Sequence, residues 1–240
     1  ICMEEGDKLF VGQVDIENAF YGMLLPPELV PYFGLPRIKA RHTEYGADAV
    51  HEHVLDDDWL YPHFRVIPMG FTHALYLCQR IHELAVDRIP SLRPLMRLQD
   101  KKPAPHMTAV ASAHGQYVDN FFSMSTSEVV AGRDVDLADQ ELGRLGLPRH
   151  PVEKTEGGDL LGWELCGEPP GIAGTRARLW RLRLGGQALL ARGSCTGREL
   201  AAFVGNATFA SLIRREVLSV FSAVCAFIDI CETATHCGRR

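Results

Sequence analysis

Short apolar runs, bounded by glycine, proline and asparagine, predict alternating strands and helices along the first two thirds of the chain. Strands are predicted where β-branched and aromatic residues cluster, and helices where apolar residues recur every three or four positions. The predicted strands cover residues 9–16, 61–67 and 160–165, a hairpin within 109–124 and an edge segment at 151–155. The predicted helices cover residues 28–33, 71–89 and about 126–145. This order of elements predicts an α+β fold.

The last third of the chain has a helical pattern. Residues 176–192 and 197–230 are predicted to be helical, and the second stretch keeps a helical period of apolar positions that is interrupted near Arg214. Before them, residues 167–174 contain a Pro-Pro pair and three glycines, which are typical of a loop. We therefore predict a first domain over residues 1–166, a linker over 167–175 and a mainly helical domain over 176–240.

Charge is unevenly distributed along the chain, although the whole protein carries a net charge of only -5. From residue 176 to residue 215 there are eight arginines and one acid, Glu199. A basic segment on an acidic protein is typical of a surface that holds a polyanion. The alternative interpretation is a solvated helix face, which is common for runs of like charge.

Cysteine usage and hydropathy bear on the cellular compartment. The seven cysteines are scattered and no two form a Cys-x-x-Cys pair, which predicts reduced thiols in an intracellular protein of the cytoplasm or nucleus. The sequence shows no run long enough for a transmembrane helix and no signal-peptide pattern at its start. We therefore predict no membrane partner, and the sequence leaves the oligomeric state open.

Two aspartates stand at predicted strand ends in apolar surroundings. Asp15 follows the run at 9–14, and Asp119 lies between Tyr-Val and Phe-Phe in the predicted hairpin. Such a charge is costly unless a partner neutralises it. For Asp119 and Asn120 ordinary turn chemistry is one interpretation, and ion pairing is another. A third is Mg2+, which prefers carboxylate oxygens and can act in pairs during phosphoryl displacement.

Five sequence motifs, taken together and in order, resemble the palm of a reverse transcriptase. Three of them carry the nucleotide-site residues of that family: Val-Asp-Ile-Glu-Asn-Ala-Phe at 14–20, Ile-Pro-Met-Gly-Phe at 67–71 and Tyr-Val-Asp-Asn at 117–120. Lys154 is similar to the lysine of the fourth motif, and Leu-Gly-Trp-Glu-Leu at 161–165 is similar to the primer-grip hairpin. Residues 198–207 resemble the thumb helices of retrotransposon enzymes. The resemblance implies a polymerase palm, an antiparallel sheet backed by helices, followed by a mainly helical thumb.

The resemblance assigns a catalytic role to a small set of residues. Asp15 and Asp119 would bind two Mg2+ or Mn2+ ions, with further ligands from the Ile16 carbonyl and Asn120. Lys154 would protonate the pyrophosphate leaving group. The implied reaction is the RNA-directed addition of deoxynucleotides to a primer.

The same resemblance assigns residues to the substrates. Phe20 would exclude the 2′-hydroxyl of a ribonucleotide, and Met69 and Gly70 would lie beside the incoming deoxynucleoside triphosphate. Leu161, Gly162 and Trp163 would seat the primer end. The implied partners are an RNA or DNA template with a DNA primer, and the residues that would contact its phosphates are Arg176, Arg178, Arg181 and Arg183.

The sequence departs from the family pattern at three points. Asn120 replaces the second aspartate of the YxDD box, Met69 replaces a glutamine, and the fingers segment that would precede Asp15 is absent from this sequence. We therefore interpret the chain as a fragment of a retroelement enzyme. The alternatives are a catalytically inactive or domesticated remnant that only binds nucleic acid, and an RNA-dependent RNA polymerase, which the bulk of Phe20 disfavours.

Overall fold

The computed structural model describes residues 6–43 and 55–237. The chain forms two compact units, the first built from residues 10–155 and the second from residues 6–9 together with residues from 156 onward. The elements of the first unit are β1 (Phe10–Asp15), α1 (Ala19–Gly22), β2 (Ile38–Lys39), β3 (Trp59–Leu60), α2 (Ala74–Val86), β4 (Ala113–Tyr117), β5 (Asn120–Ser125), α3 (Glu128–Arg144) and β6 (Glu153–Glu156).

The first unit contains a four-stranded sheet in the order β4-β5-β1-β6, and β2 pairs with β3 as a separate ribbon. The β4–β5 and β1–β5 pairs are antiparallel, and Asp15 stands opposite Asn120 at the end of β1. Helix α3 packs on β1 and β5, and the side chains of Val14, Phe121 and Val135 are buried between them. Apolar burial on this face therefore holds the two central strands against the helix.

Gly12 marks the closest approach of β1 to α3. A Cβ atom at this position would lie 2.7 Å from Cγ1 of Val135 and 2.9 Å from the backbone oxygen of Ala131. Both distances are shorter than a van der Waals contact, so only glycine lets the strand and the helix pack this closely. Successive side chains of a strand point to opposite faces. Asp15, three positions further along, therefore lies on the face opposite α3.

The second unit combines a small sheet with helices. Strands β7 (Gly158–Leu160), β8 (Trp163–Cys166) and β9 (Gly171–Gly174) form an antiparallel sheet in that order. They are followed by α4 (Arg176–Arg192), α5 (Gly197–Ser211), a 3-10 helix (Arg215–Phe221) and α6 (Ser222–Cys237). Thr196 caps α5 in a capping box with Glu199, and Arg192 donates two hydrogen bonds to the same carboxylate. This cluster fixes the corner between α4 and α5.

The predicted α+β fold class is confirmed, including an antiparallel sheet backed by helices and a mainly helical C-terminal part. The helix over 176–192 has the bounds predicted, and the interruption near Arg214 is present as the 3-10 helix. None of the helices within the described residues has the length and apolarity needed to cross a bilayer. The assignment of residues 1–166 and 176–240 to a palm and a thumb remains a prediction.

Three local predictions were wrong. Residues 61–67 are not a continuous strand, because they make single bridges at His63 and Val66 to two different neighbours and contain Pro62, which lacks a backbone donor. Residues 160–165 turn at Leu161 and Gly162, whose φ angles of 50° and 81° suit a two-residue hairpin turn. The predicted linker contains β9, which pairs along β8.

The packing at Gly12 generates a stability prediction. We expect Gly12→Ala to lower the free energy of unfolding by about 2 kcal/mol, because the added methyl group overpacks a rigid strand–helix contact. Thermal or urea unfolding measures the change.

Gly132→Ala is the matched control, because the added atom would lie 3.4 Å from the flexible side chain of Lys154 and alanine favours the helix. We expect the control to keep or raise the stability. Equal unfolding curves for Gly12→Ala and the wild type would contradict the tight approach of β1 to α3.

Candidate functional site

The two aspartates singled out from the sequence lie side by side. Asp15 ends β1 directly opposite Asn120 of β5, and Asp119 occupies the two-residue turn between β4 and β5. The backbone N–H of Ile16 donates to the carbonyl oxygen of Asp119 at 3.0 Å, which ties the end of β1 to the turn. The register of the sheet therefore brings together Asp15, Ile16, Asp119 and Asn120.

The residues around Asp15 and Asp119 supply little positive charge to the two carboxylates. Oδ1 of Asp15 is buried and has no hydrogen-bond partner among the described residues. Burial, and then the negative charge of Asp119, raise the pKa of Asp15 above its ordinary value, and His150 opposes them more weakly. His150 also donates its backbone N–H to the Asp15 carbonyl at 2.9 Å. Ionised Asp15 is thus in an unfavourable environment that a cation would relieve.

Asn120 adds an uncharged side chain to the pair. It faces Asp15 across the strands, and its Nδ2 lies 3.4 Å from Oδ1 of Asp119, which is a long hydrogen bond. Within the described residues no group of three or more histidine, cysteine or acidic side chains is arranged as a metal cage. The carboxylate charge at this site therefore comes from two residues.

The turn that carries Asp119 has unusual backbone geometry. Val118 has a φ of 57°, in the left-handed region that β-branched residues rarely adopt. Helix α2 contacts this residue with several side chains. Gln79 accepts the Val118 N–H at 2.8 Å, and Nδ1 of His82 lies 3.0 Å from the Val118 carbonyl oxygen. The left-handed turn is thus held from the helix that packs behind it.

The residues predicted to contact a nucleotide lie on two adjoining segments. Phe20, on α1, is partly buried against the core, while Met69 is exposed. Tyr21, the neighbour of Phe20, is half-exposed, and its hydroxyl lies 3.8 Å from the sulfur of Met69. Gly70 has a φ of 91° and an open space at its missing Cβ, so backbone conformation, and not crowding, requires glycine there. Tyr21 is a contact that the sequence interpretation missed.

Lys154 lies apart from the carboxylate pair. Its ammonium is 2.7 Å from Oδ2 of Asp136 on α3, and its side chain lies beside Gly132 of the same helix. Since Asp15 is on the sheet face opposite α3, the structure does not bring Lys154 together with it. The role predicted for Lys154 stays a prediction.

In the second unit, Trp163 is part of a ring stack. Its indole lies 4.6 Å from the ring of Phe209 with an angle of 12° between the planes, and the Arg178 guanidinium covers Phe209 at 4.0 Å. Leu161 and Gly162 form the turn that precedes Trp163, and Arg178 lies close to Gly162. One face of Trp163 is therefore already occupied, and Arg178 is used in packing.

The other three predicted phosphate-contacting arginines are exposed along α4. Arg183 covers the half-exposed ring of Trp180 at 5.2 Å, and Arg181 lies near the carbonyl of Ala177. Arg176 opens the helix. An exposed row of guanidinium groups without acidic partners nearby in the sequence suits a polyanion.

Three residues at this site were not predicted from the sequence: Gln79, His82 and His150. The sequence signals only two of them, because Gln79 and His82 form a polar pair at helical spacing in the predicted helix at 71–89. His150 gave no signal, because its nearness to Asp15 depends on the return of the chain from α3 to the sheet.

Comparison with known proteins gives a structural relation and no sequence relation. No protein-family model and no curated protein sequence matches the chain. A solved structure of the foamy viral protease–reverse transcriptase in complex with double-stranded DNA is similar in fold, with a TM-score of 0.52 and 14% sequence identity. The match covers 85% of this chain and 28% of that protein. The chain therefore has a reverse-transcriptase-like fold and spans just over a quarter of the length of that protein.

The raised pKa of Asp15 generates a prediction on stability. Because the folded chain binds this proton more tightly than the unfolded chain, stability falls as the pH rises from the ordinary carboxyl pKa, about 4, through the raised value. We expect Asp15→Asn to raise the thermal unfolding midpoint of the metal-free protein at pH 7 by about 2 °C. Melting curves of both proteins between about pH 4 and pH 7 check this.

Asp136→Asn is the control, because that carboxylate is exposed and paired with Lys154. We expect it to leave the midpoint at pH 7 unchanged or slightly lower. A lower midpoint for Asp15→Asn than for the wild type would contradict a strained carboxylate at Asp15.

Proposed function

We propose that the chain is the palm and thumb region of an RNA-directed DNA polymerase of retroelement origin. The observation that carries the proposal is the Asp15–Asp119 pair, with a buried Asp15 oxygen that lacks a partner among the described residues, at a hairpin turn of a reverse-transcriptase-like fold. The motif resemblance supports it independently, because the two aspartates it assigns as metal ligands are the two that lie together.

The donor set fits a hard divalent cation. Asp15, Asp119, the Ile16 carbonyl and the Asn120 side-chain oxygen would hold two Mg2+ or Mn2+ ions, and carboxylate and carbonyl oxygens are the ligands these ions prefer. The ions, when bound, stabilise the charge that develops during phosphoryl transfer. The β1–β5 register fixes the distance between the backbones of Asp15 and Asp119, and so the spacing of the two carboxylates.

The remaining residues would bind and orient the substrates. Phe20 would form the floor of the sugar pocket and exclude a 2′-hydroxyl by its bulk, with Tyr21 and Met69 as the wall beside it. Arg176, Arg181 and Arg183 would contact the phosphates of a template and DNA primer. This contact is largely electrostatic and weakens with salt.

The primer grip and the proton donor rest on the motif resemblance. Leu161 and Gly162 would contact the primer end, with Trp163 held by its stack on Phe209. Lys154 would supply the proton to pyrophosphate. Its ion pair with Asp136 is exposed, and such pairs contribute only about 0–1 kcal/mol, so the ammonium is not fixed by it.

A second function has one observation in its favour. Asn120 supplies no charge where the family has a carboxylate, which suits a remnant that binds nucleic acid without catalysis. In that case template–primer binding persists in the wild type and no primer is extended under any metal condition.

The catalytic proposal predicts the effect of changes at the carboxylates. In the full-length gene product, Asp15→Ala and Asp119→Ala should each reduce primer extension on an RNA template with Mg2+ or Mn2+ by about a hundredfold or more. Asn120→Asp should keep or raise the rate at low metal concentration, because it adds a charged ligand. Extension rates and duplex affinity are measured for each variant.

Asp136→Asn is the matched control, since this aspartate lies on α3, at the sheet face opposite Asp15, and should leave the rate unchanged. Near-normal primer extension by either alanine variant would contradict the assignment of that aspartate as a metal ligand. A clear loss with Asn120→Asp would instead show that the site is built around asparagine.

Phe20 is tested by sugar selectivity. We expect Phe20→Val to incorporate ribonucleotides about tenfold or more better than the wild type, because removal of the ring makes room for the 2′-hydroxyl. The ratio of kcat/KM for deoxy- and ribonucleotides gives the result.

Tyr32→Val is the control, since this aromatic residue is largely exposed. Unchanged selectivity in Phe20→Val would rule out the steric role of the ring.

A further inference from the structure

The backbone at Val118 adopts a conformation that its own side chain disfavours. Tyr117 and Asn120 form the last pair of the β4–β5 hairpin, so Val118 and Asp119 alone make the turn. Val118 has a φ of 57°. Strain of this kind persists only where surrounding contacts hold it, and it concentrates at functional sites. The direction of the Asp119 side chain therefore depends on what holds Val118.

Gln79 is bonded to the hairpin backbone on the N-terminal side of the strained residue. Its Oε1 accepts the Val118 N–H at 2.8 Å, and its Nε2 donates to the carbonyl oxygen of Gln116 at 3.0 Å. The same nitrogen also donates to Glu83 at 2.9 Å, which fixes the orientation of the amide. One side chain thus holds the two backbone groups, the Gln116 carbonyl and the Val118 N–H, that lead into the turn.

His82 and Cys78 hold the Val118 carbonyl from the next positions on α2. Both side chains are fully buried. Burial lowers the pKa of His82, so the ring is neutral, and its Nδ1 lies 3.0 Å from the carbonyl oxygen and donates to it. The Cys78 sulfur is 3.8 Å from the same oxygen. Burial, and then the charge of Asp119, raise the pKa of Cys78 to about 11, so the thiol keeps the proton it donates.

The burial of His82 is costly in itself. Its Nε2 has no hydrogen-bond partner among the described residues. Buried polar atoms are nearly always paired, and an unpaired one in a folded protein calls for an explanation. A leucine would fill the same space without an unpaired atom. The hydrogen bond from Nδ1 to the Val118 carbonyl is what a leucine could not supply.

We propose that Gln79 and His82 are positioning residues that hold Val118 in its left-handed conformation and thereby aim the Asp119 carboxylate at the metal site. The inference rests on the proposed function, since it concerns the same carboxylate pair. Neither residue touches the substrate. Both act through the backbone of the turn, so their loss changes where Asp119 points while the fold of the sheet remains.

Isosteric variants of the full-length protein test this proposal, in which Gln79 and His82 act as a clamp on the backbone of Val118. Gln79→Met keeps the length of the side chain and removes its two hydrogen bonds to the hairpin backbone together with the one to Glu83. His82→Leu removes the donor to Val118, whereas His82→Asn keeps a donor near the position of Nδ1. Leu84→Ala is the control, because this residue is half-exposed on the same helix. Two quantities are measured for each: Mn2+ affinity without nucleotide, and hydrogen exchange of the amides at 117–120.

We expect Gln79→Met and His82→Leu to bind Mn2+ about tenfold more weakly, a factor that matches the strain of one left-handed residue. Their turn amides should exchange about tenfold faster, while melting curves show a folded protein. His82→Asn should recover most of the affinity, and Leu84→Ala should match the wild type. Recovery by asparagine separates positioning from a general loss of packing.

Two outcomes separate the inference from the proposed function. If the wild type binds Mn2+ and Gln79→Met and His82→Leu bind it equally well with unchanged exchange, the clamp is wrong and the metal site stands. If the wild type binds no Mn2+ but the exchange of the turn amides rises in both variants, the clamp holds the turn and the metal site is wrong. Should Gln79→Met fail to fold, the comparison of His82→Leu with His82→Asn decides alone.

Discussion

The antiparallel register between β1 and β5 is the constraint on which the site depends. A shift by one residue would move Asp15 to the apolar face that packs on α3, where burial of a charge is costly. Two features fix the register: the apolar contact of Val14 and Phe121 with α3, and the close approach at Gly12. The hydrophobic core of the first unit therefore positions a polar site on the opposite face of the same strands.

This arrangement sets stability against function at the carboxylates. The structure leaves an Asp15 oxygen without a partner among the described residues and puts a second negative charge next to it. A fold selected for stability alone would neutralise or remove one of these charges. Val118 adds to the same tension, since its left-handed backbone is held by side chains of α2. Unfavourable features concentrated at one hairpin turn and the strand end beside it are typical of sites that bind a ligand.

What the sequence predicts well is local. The apolar frames around Asp15 and Asp119 predicted that both stand at strand ends, and the helix predicted over 176–192 matches the bounds of α4. What it missed depends on contacts between distant segments. The bonds from Gln79 to the Val118 turn, and the pairing of Lys154 with Asp136, follow from how α2 and α3 pack on the sheet. No residue pattern within a single element carries that information.

The asparagine at position 120 can be understood from the same charge balance. Asn120 faces Asp15 directly across the strand pair, and like charges in that relation are destabilising. A carboxylate there would be the third in a site where His150 only partly offsets the existing two. Asparagine keeps an oxygen donor and the turn geometry while leaving out that repulsion. Asparagine in place of an aspartate here thus lowers the charge that the metal-free site must tolerate, and it also lowers the attraction that the site can offer a cation.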